Sequence, residues 1–189
     1  MKKTPSLFQR NYDTDRLVRD EIVPGSEWVA AGEGKATRKW DGTACMVRDG
    51  KLYKRYDAKK GKKPPADFEP AMEPDPITQH WAGWVPVKES DPASKWHWQA
   101  WLAEDGNIPD GTYELCGPHF QSNPECFASD IFVPHGSGNI PPAPRDYAGI
   151  KAYLTEYAFE GIVWHHPDGR MVKIKAKDFG IEWPRKDRA

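Results

Sequence analysis

Residues 160–176, EGIVWHHPDGRMVKIKA, decide the fold of this 189-residue chain. Residues 160–165 and 170–176 are rich in β-branched and aromatic side chains, which favour strands. Between them, Pro167-Asp168-Gly169 is typical of a tight turn. The stretch therefore predicts a strand, a turn and a second, antiparallel strand.

The second strand of this hairpin alternates lysine with apolar residues. Lys173 and Lys175 are two residues apart, so they lie on one face of the strand, and Val172 and Ile174 face a core on the other side. Two neighbouring ammonium groups repel each other unless an anion lies close, and phosphate is a common anion in proteins. A solvated strand face is the simpler alternative.

The rest of the chain predicts similar elements. Residues 43–47 and 51–56 flank Asp49-Gly50, a pair typical of a hairpin turn. Strand hairpins interrupted by helices, without a regular βαβα alternation, predict an α+β fold with antiparallel β-sheets flanked by helices. The other predicted elements are helices capped by Asp91 (to about Glu104) and by Asp146, and strands over residues 111–116 and 129–133.

The length predicts a single domain spanning residues 1–189. Residues 1–27 are expected to be a charged leading segment with one short helix. Residues 59–90 are expected to be a surface loop insertion, because residues 59–76 are rich in lysine, proline and acidic residues.

Charge and cysteine content limit the possible classes of protein. With 27 basic and 28 acidic residues the net charge is −1, so contact with a polyanion must depend on a local patch. Three cysteines without CxxC spacing predict neither a zinc site nor a disulfide framework. With no secretory signal and no apolar run of about 20 residues, the expected location is the cytoplasm, away from membranes.

Lys39-Trp40-Asp41-Gly42 is the first candidate for chemistry. A lysine is a good nucleophile only when it is neutral, and neighbouring cations or a bound metal would lower its pKa. Glu114 and Glu160 lie in or beside apolar strands, where a carboxylate needs a partner. That partner is either Mg²⁺ or Mn²⁺ carrying nucleotide phosphates, or a lysine of the strands.

The order of these motifs carries more information than each one alone. KxDG, a strand Arg, a strand Glu, an aromatic-rich strand, EGIV and KxK resemble, in this order, the covalent nucleotidyltransferase superfamily of ATP-dependent ligases and capping enzymes. Five stretches are similar to the small stand-alone 5′-to-3′ RNA ligases typified by vertebrate RNA ligase 1: RKWDGTAC, KLYKRYD, YELCGPHFQSNP, IFVPHG and FEGIVWHHPDGRMVKIKAKDFGIEWP. The resemblance implies the nucleotidyltransferase (ligase adenylation-domain) fold. An OB-fold is not expected, since only residues 176–189 follow Lys175.

The resemblance implies a role for each matching residue. Lys39 corresponds to the lysine that becomes adenylated, with Asp41 and Gly42 completing its motif. Lys173 and Lys175 correspond to the lysines that contact the α-phosphate. Arg38 departs from the family pattern, because relatives often carry an acid there.

Four further residues receive nucleotide or metal roles from the resemblance. Arg55 corresponds to a contact of ribose and phosphate, and Glu114 to an acid near the ribose and the metal. Glu160 corresponds to the acid of the catalytic metal. Phe132 falls where an aromatic stacks on adenine, with Phe120 and Phe127 as alternatives.

The implied function is ATP-dependent RNA ligation through a lysine–AMP intermediate. ATP is the co-substrate, Mg²⁺ or Mn²⁺ the metal, and RNA with 5′-phosphate and 3′-hydroxyl ends the partner, as in RNA repair. No obligate protein partner is evident. The alternatives are a DNA-end ligase or other AMP transferase with the same first step, and a catalytically inactive nucleotide- or RNA-binding module. A metal site at His165-His166 is disfavoured, because adjacent strand residues point to opposite faces.

Overall fold

The computed structural model describes residues 3–76 and 78–184. These residues form antiparallel sheets and few helices, which confirms the α+β class. The α-helices are α1 (Glu27–Ala30), α2 (Lys95–Ala103) and α3 (Tyr147–Glu156), and the 3-10 helices are Pro92–Ser94 and Ala176–Phe179. The strands are β1 (Phe8–Arg10), β2 (Val18–Ile22), β3 (Lys35–Lys39), β4 (Thr43–Arg48), β5 (Lys51–Ala58), β6 (Glu69–Pro70), β7 (Trp81–Pro86), β8 (Gly111–Cys116), β9 (Ile131–Pro134), β10 (Gly161–His165) and β11 (Met171–Lys175).

The described chain separates into two compact units. The single domain spanning residues 1–189 stays a prediction. The inserted unit comprises residues 41–135. The outer unit comprises residues 4–40 together with residues 136–184. A pattern of hairpins and helices does not reveal this division, because it depends on which strands pair over long separations along the chain.

The inserted unit is built on a six-stranded antiparallel sheet in the order β6-β7-β5-β4-β8-β9. The predicted hairpin of β4 and β5 is confirmed, and both turn residues, Asp49 and Gly50, have positive φ (53° and 66°) as the turn requires. Cys45 and Leu115 are fully buried on one face of the sheet, and Trp101 of α2 belongs to the same cluster. Cys45, Cys116 and Cys126 are free thiols.

The predicted loop insertion of residues 59–90 contains sheet. Within it, β7 lies between β5 and β6, with Trp84 only 3% exposed. The sequence of β7, WAGWVP, has too little polar alternation to be recognised, and it is surrounded by prolines. Its pairing with β5 on one side and β6 on the other makes it a strand, and β5 supplies most of the backbone partners.

The outer unit contains the three-stranded antiparallel sheet β11-β10-β3 and the separate hairpin of β1 and β2. Ile162, Trp164 and Ile174 are fully buried on one face of the three-stranded sheet. Ile150 and Leu154, four residues apart on one face of α3, belong to the same core. Asp146 caps α3 by accepting a hydrogen bond of 2.8 Å from the N–H of Gly149.

The leading segment, residues 1–27, is also more ordered than predicted over its described part. It provides β1, β2 and the start of α1, and Leu7 and Phe8 are fully buried in the core of the outer unit. The N–H of Leu7 donates to the carbonyl of Lys173 at 2.8 Å, so this segment covers the free edge of β11. Such short, charged strands form through long-range pairing that the local sequence does not indicate.

Candidate functional site

Three lysines lie on one face of the β11-β10-β3 sheet. Gly161 of β10 is in register with Lys39 on one side and with Lys175 on the other. Lys173 lies two residues from Lys175, on the same face. The long-range pairing of β3 with β10 thus brings Lys39 beside the two lysines of β11, which lie more than 130 positions further along the sequence.

The opposite face of this sheet anchors the lysines. Val172 and Ile174 alternate with the two lysines of β11 and are buried, as predicted. Trp164 of β10 is fully buried on the same side. A slip of one residue in β11 would expose its apolar residues and bury its lysines, so the register is strongly determined.

Glu160 joins two of these lysines. Its carboxylate forms ion pairs with the ammonium groups of Lys39 and of Lys175, the latter at 2.7 Å. Glu160 is only 5% exposed, and its carbonyl accepts a hydrogen bond of 2.8 Å from the N–H of Ala176, which fixes the start of β10. A carboxylate this buried requires charged partners, and here it has two.

Burial and the neighbouring charges of the cluster change the pKa of Lys173. Burial lowers the pKa of Lys173 from its ordinary 10.5 to about 8, with contributions from the positive charges of Lys175 and Lys39. Glu160 opposes this effect and raises the pKa of Lys173. Lys173 is therefore mostly protonated at pH 7, but it loses its proton at a lower pH than an exposed lysine does.

Gly161 leaves the surface between Lys39 and Lys175 without a side chain. A Cβ at this position would overlap the carbonyl oxygen of Ile174 on the neighbouring strand. The two ammonium groups therefore flank a stretch of bare backbone.

A second group of predicted residues lies on the six-stranded sheet of the inserted unit. Glu114 of β8 is in register with Ala44 of β4, and extending the β4–β5 register by one residue places Ala44 beside Arg55. Arg55 and Glu114 thus share a face, about 10 Å apart across the small side chain of Ala44. Burial lowers the pKa of Arg55, whose side chain lies 3.7 Å from Asp57.

Gly42 and Glu114 are in direct contact. The N–H of Gly42 donates to Glu114 Oε1 at 3.2 Å. A Cβ on Gly42 would overlap the carbonyl oxygen of Leu115 and come within 2.7 Å of Cys116 Sγ. Glycine is therefore required here by close packing against β8. Asp41 donates its own N–H to Glu125 Oε1 at 3.2 Å.

His135 is the residue of this group to which the sequence assigned no role. Its Nε2 lies 3.0 Å from Glu114 Oε2, so both carboxylate oxygens of Glu114 have a partner. The signal was available in principle: β9 pairs with β8, Val133 is in register with Glu114, and His135 follows two residues later on the same face.

Phe132 lies on the other face of the sheet from Glu114. It is in register with Leu115, and its ring meets that of Tyr113 edge-on at 6.1 Å, beside the core. Its stacking on adenine stays a prediction. On β9, the residue that shares the face of Glu114 is Val133.

Arg38, the departure from the family pattern, is placed beside aromatic rings. Its guanidinium lies 4.2 Å from the ring centre of Trp40 and 4.8 Å from that of Phe159. Contacts of this kind attract a guanidinium to the face of an aromatic ring. Arg38 and Trp40 lie on the face of β3 opposite to Lys39.

The two adjacent histidines have different surroundings. His165 Nε2 lies 2.9 Å from the Thr37 hydroxyl, whereas His166 lies 2.8 Å from both Glu33 and Asp168. Over residues 3–76 and 78–184, no group of three or more His, Cys, Asp or Glu side chains is arranged to hold a metal ion. In the same part of the chain, no helix has the length and apolar character needed to span a bilayer.

Fold and side-chain geometry together define an α+β protein with a buried carboxylate shared by lysines on an antiparallel sheet. By sequence, the chain resembles vertebrate RNA ligase 1, which confirms the resemblance inferred from the motifs. The sequence model of the family described as RNA ligase 1 matches residues 102–189. This match includes Glu114, Glu160 and both lysines of β11, while Lys39 lies outside it.

Individual relatives agree with the family match. The chain is 27% identical over 140 residues to RNA ligase 1 of Pongo abelii and 28% identical over 141 residues to that of Danio rerio. Each match covers 57% of this chain and 43% of the relative. RNA ligase 1 of Rattus norvegicus is 26% identical over 224 residues, covering 80% of this chain and 69% of the relative. The chain thus spans less than half the length of the first two relatives.

Proposed function

We propose that the protein is an ATP-dependent RNA ligase with a nucleotidyltransferase fold, in which Lys39 becomes adenylated. The observation that carries this proposal is the cluster of Lys39, Lys173 and Lys175 around the buried Glu160. A salt bridge needs only one lysine, whereas three lysines on one face give an excess of positive charge. The resemblance to RNA ligase 1 supports the same function.

In the first step, the amine of Lys39 attacks the α-phosphorus of ATP. A P–N bond forms, the bond to pyrophosphate breaks, and the lysine proton is lost. Glu160 orients Lys39 by accepting its hydrogen bond, and Lys175 and protonated Lys173 stabilise the negative charge on the phosphoryl oxygens.

Two transfers complete the proposed reaction. The 5′-phosphate of the RNA displaces Lys39 from the AMP phosphorus, which regenerates the lysine amine. A 3′-hydroxyl then attacks the 5′-phosphorus and releases AMP, forming the phosphodiester. Lys175 and protonated Lys173 are available to offset negative charge in each transfer.

Glu160 fits a role as a metal ligand in part. Mg²⁺ is usually held by one or two carboxylates together with substrate phosphates, so a single acid beside a nucleotide is sufficient. Both oxygens of Glu160 are engaged by lysines, but adenylation removes the positive charge of Lys39 and makes one oxygen available. A divalent ion held there would neutralise charge on phosphate. Glu114 fits this role less well, because Gly42 and His135 already occupy both its oxygens.

Arg55 and Glu114 are assigned to the nucleotide. They share one face of the six-stranded sheet across Ala44, and Gly42 brings main chain close to Glu114. A carboxylate is a good acceptor for ribose hydroxyls, and a guanidinium suits a phosphate. These assignments follow the family resemblance, and the shared face supports them.

A basic cleft in the inserted unit is the candidate surface for RNA. It has a volume of about 420 Å³ and is lined by Lys59, Lys60, Lys62 and Trp81, among others. Asp75 is its one acidic residue, so the lining carries a net positive charge. Lysines that follow a nucleic-acid backbone would supply the affinity that a net charge of −1 does not.

The test is covalent labelling. Protein freed of bound AMP with pyrophosphate is incubated with α-labelled ATP and Mg²⁺ or Mn²⁺, denatured, and examined for retained label. Wild type and the control variant Lys35→Ala are expected to retain label, since Lys35 is exposed on the same strand. Lys39→Ala is expected to retain none. Absence of label on wild-type protein would contradict the proposal and favour an inactive binding module.

The acceptor distinguishes the remaining alternatives. Labelled enzyme is offered 5′-phosphorylated RNA or DNA with a free 3′-hydroxyl, and the joined product is measured. Preferential joining of RNA supports the proposal. Joining of DNA alone, or transfer of AMP without joining, would favour the other AMP transferases.

A further inference from the structure

The backbone of His135 is hydrogen-bonded to β8, the strand that carries Glu114. It follows β9 directly, and its N–H donates to the carbonyl of Thr112 on β8 at 3.0 Å. Because Val133 is in register with Glu114, His135 lies on the same face one repeat further along. The imidazole is therefore held beside Glu114 by the backbone of the sheet.

The carboxylate of Glu114 is held from two directions. Oε1 accepts the N–H of Gly42 at 3.2 Å, and Oε2 lies 3.0 Å from His135 Nε2. The Glu114 side chain is 14% exposed and that of His135 is 23% exposed, so water competes weakly for these bonds. With both contacts in place, rotation of the carboxylate would break at least one hydrogen bond.

The surroundings of the imidazole indicate which nitrogen donates. Glu114 is an acceptor, so Nε2 carries the proton that is shared with it. His135 Nδ1 is buried and has no hydrogen-bond partner among the described residues. A proton on Nδ1 would be a buried, unsatisfied donor, and this arrangement favours the tautomer with the proton on Nε2.

We infer that His135 is a positioning residue, which orients Glu114 towards the ATP ribose and thereby sets the affinity for ATP during lysine adenylation. The inference rests on the proposed function. Loss of the His135 hydrogen bond leaves Glu114 with only the Gly42 contact, and its carboxylate can rotate. A hydrogen bond to a charged group of this kind corresponds to about a tenfold change in affinity or more.

The test compares two amide substitutions. The side-chain nitrogen of His135→Gln reaches the position of Nε2, whereas that of His135→Asn reaches only the position of Nδ1. Lysine adenylation is measured as a function of ATP concentration. His135→Gln is expected to keep KM for ATP near the wild-type value, and His135→Asn to raise it about tenfold while kcat changes less.

A double-mutant comparison separates positioning from a general structural role. In a Glu114→Gln background, His135→Asn is expected to have little further effect on KM, because the residue it orients is already altered. An undiminished effect in that background would overturn the inference. Equal KM values for wild type and His135→Asn, measured on proteins that both form the lysine adenylate, would also overturn the inference. Only the absence of adenylate on wild-type protein would count against the proposed function as well.

Discussion

Replacing Lys173 with methionine removes a positive charge that is disfavoured by burial. Burial and the neighbouring cations lower the pKa of Lys173 from 10.5 to about 8. One pKa unit corresponds to about 1.36 kcal/mol, so the protonated form opposes folding by roughly 3 kcal/mol. Methionine fills a similar volume and carries no charge. We therefore expect Lys173→Met to raise the free energy of unfolding by up to about 3 kcal/mol at pH 7.

The pH dependence of this effect has a definite sign. Between pH 8 and pH 10.5 the unfolded chain binds the lysine proton and the folded protein has lost it, so wild-type stability rises with pH across this window. Below about pH 8 the full penalty is present, and above about pH 10.5 it is gone. The advantage of the methionine variant should accordingly shrink from pH 8 towards pH 10.5.

The assay is urea unfolding of both proteins at several pH values from 7 to 10.5. The difference between variants isolates Lys173, because other lysines and tyrosines titrate in both. Lys35→Met, at an exposed position on the same sheet face, serves as the matched control and should change stability by less than about 0.5 kcal/mol. A methionine variant that is no more stable than wild type at pH 7, or whose advantage is independent of pH, would refute the electrostatic reasoning.

Two further predictions concern the inserted unit. Gly42→Ala should destabilise the protein by about 1–3 kcal/mol in urea unfolding, because its Cβ overlaps the carbonyl of Leu115. Gly111→Ala should cost less than about 1 kcal/mol, because its Cβ would meet the Tyr113 ring only at van der Waals contact, 3.5 Å away. Equal losses would contradict the packing argument. Glutamine at the three lysines of residues 59–62 should weaken RNA binding and reduce its salt slope by about 2, leaving lysine adenylation unchanged. An unchanged slope would place the RNA elsewhere.

The C-terminal hairpin could be predicted because the residues that determine it lie close together in the sequence. In β11 the alternation of lysine and apolar residues determines which side faces the core, and the turn residues set the reversal. Two helix starts were predictable for the same reason, since each carries its own cap: Asp146 caps α3, and Asp91 caps the 3-10 helix Pro92–Ser94 that leads into α2.

The parts that could not be predicted depend on distant partners. Glu160 had two interpretations in the sequence, a metal ligand or a salt bridge, and only the pairing of β3 with β10 puts Lys39 within its reach. His135 was overlooked because its partner Glu114 lies on another strand. Strand β7 was missed because its pairing with β5 and β6, not its own sequence, makes it a strand.

Gly161 has a consequence for how this sequence can diverge. The main chain of β11 excludes any side chain at this position, whichever reaction the lysines perform. Descendants that lost activity would therefore be free to replace Lys39 or Lys175 while still retaining Gly161. In a comparison of distant relatives, a retained glycine would indicate common ancestry of the sheet. Only retained lysines would indicate that the chemistry is conserved.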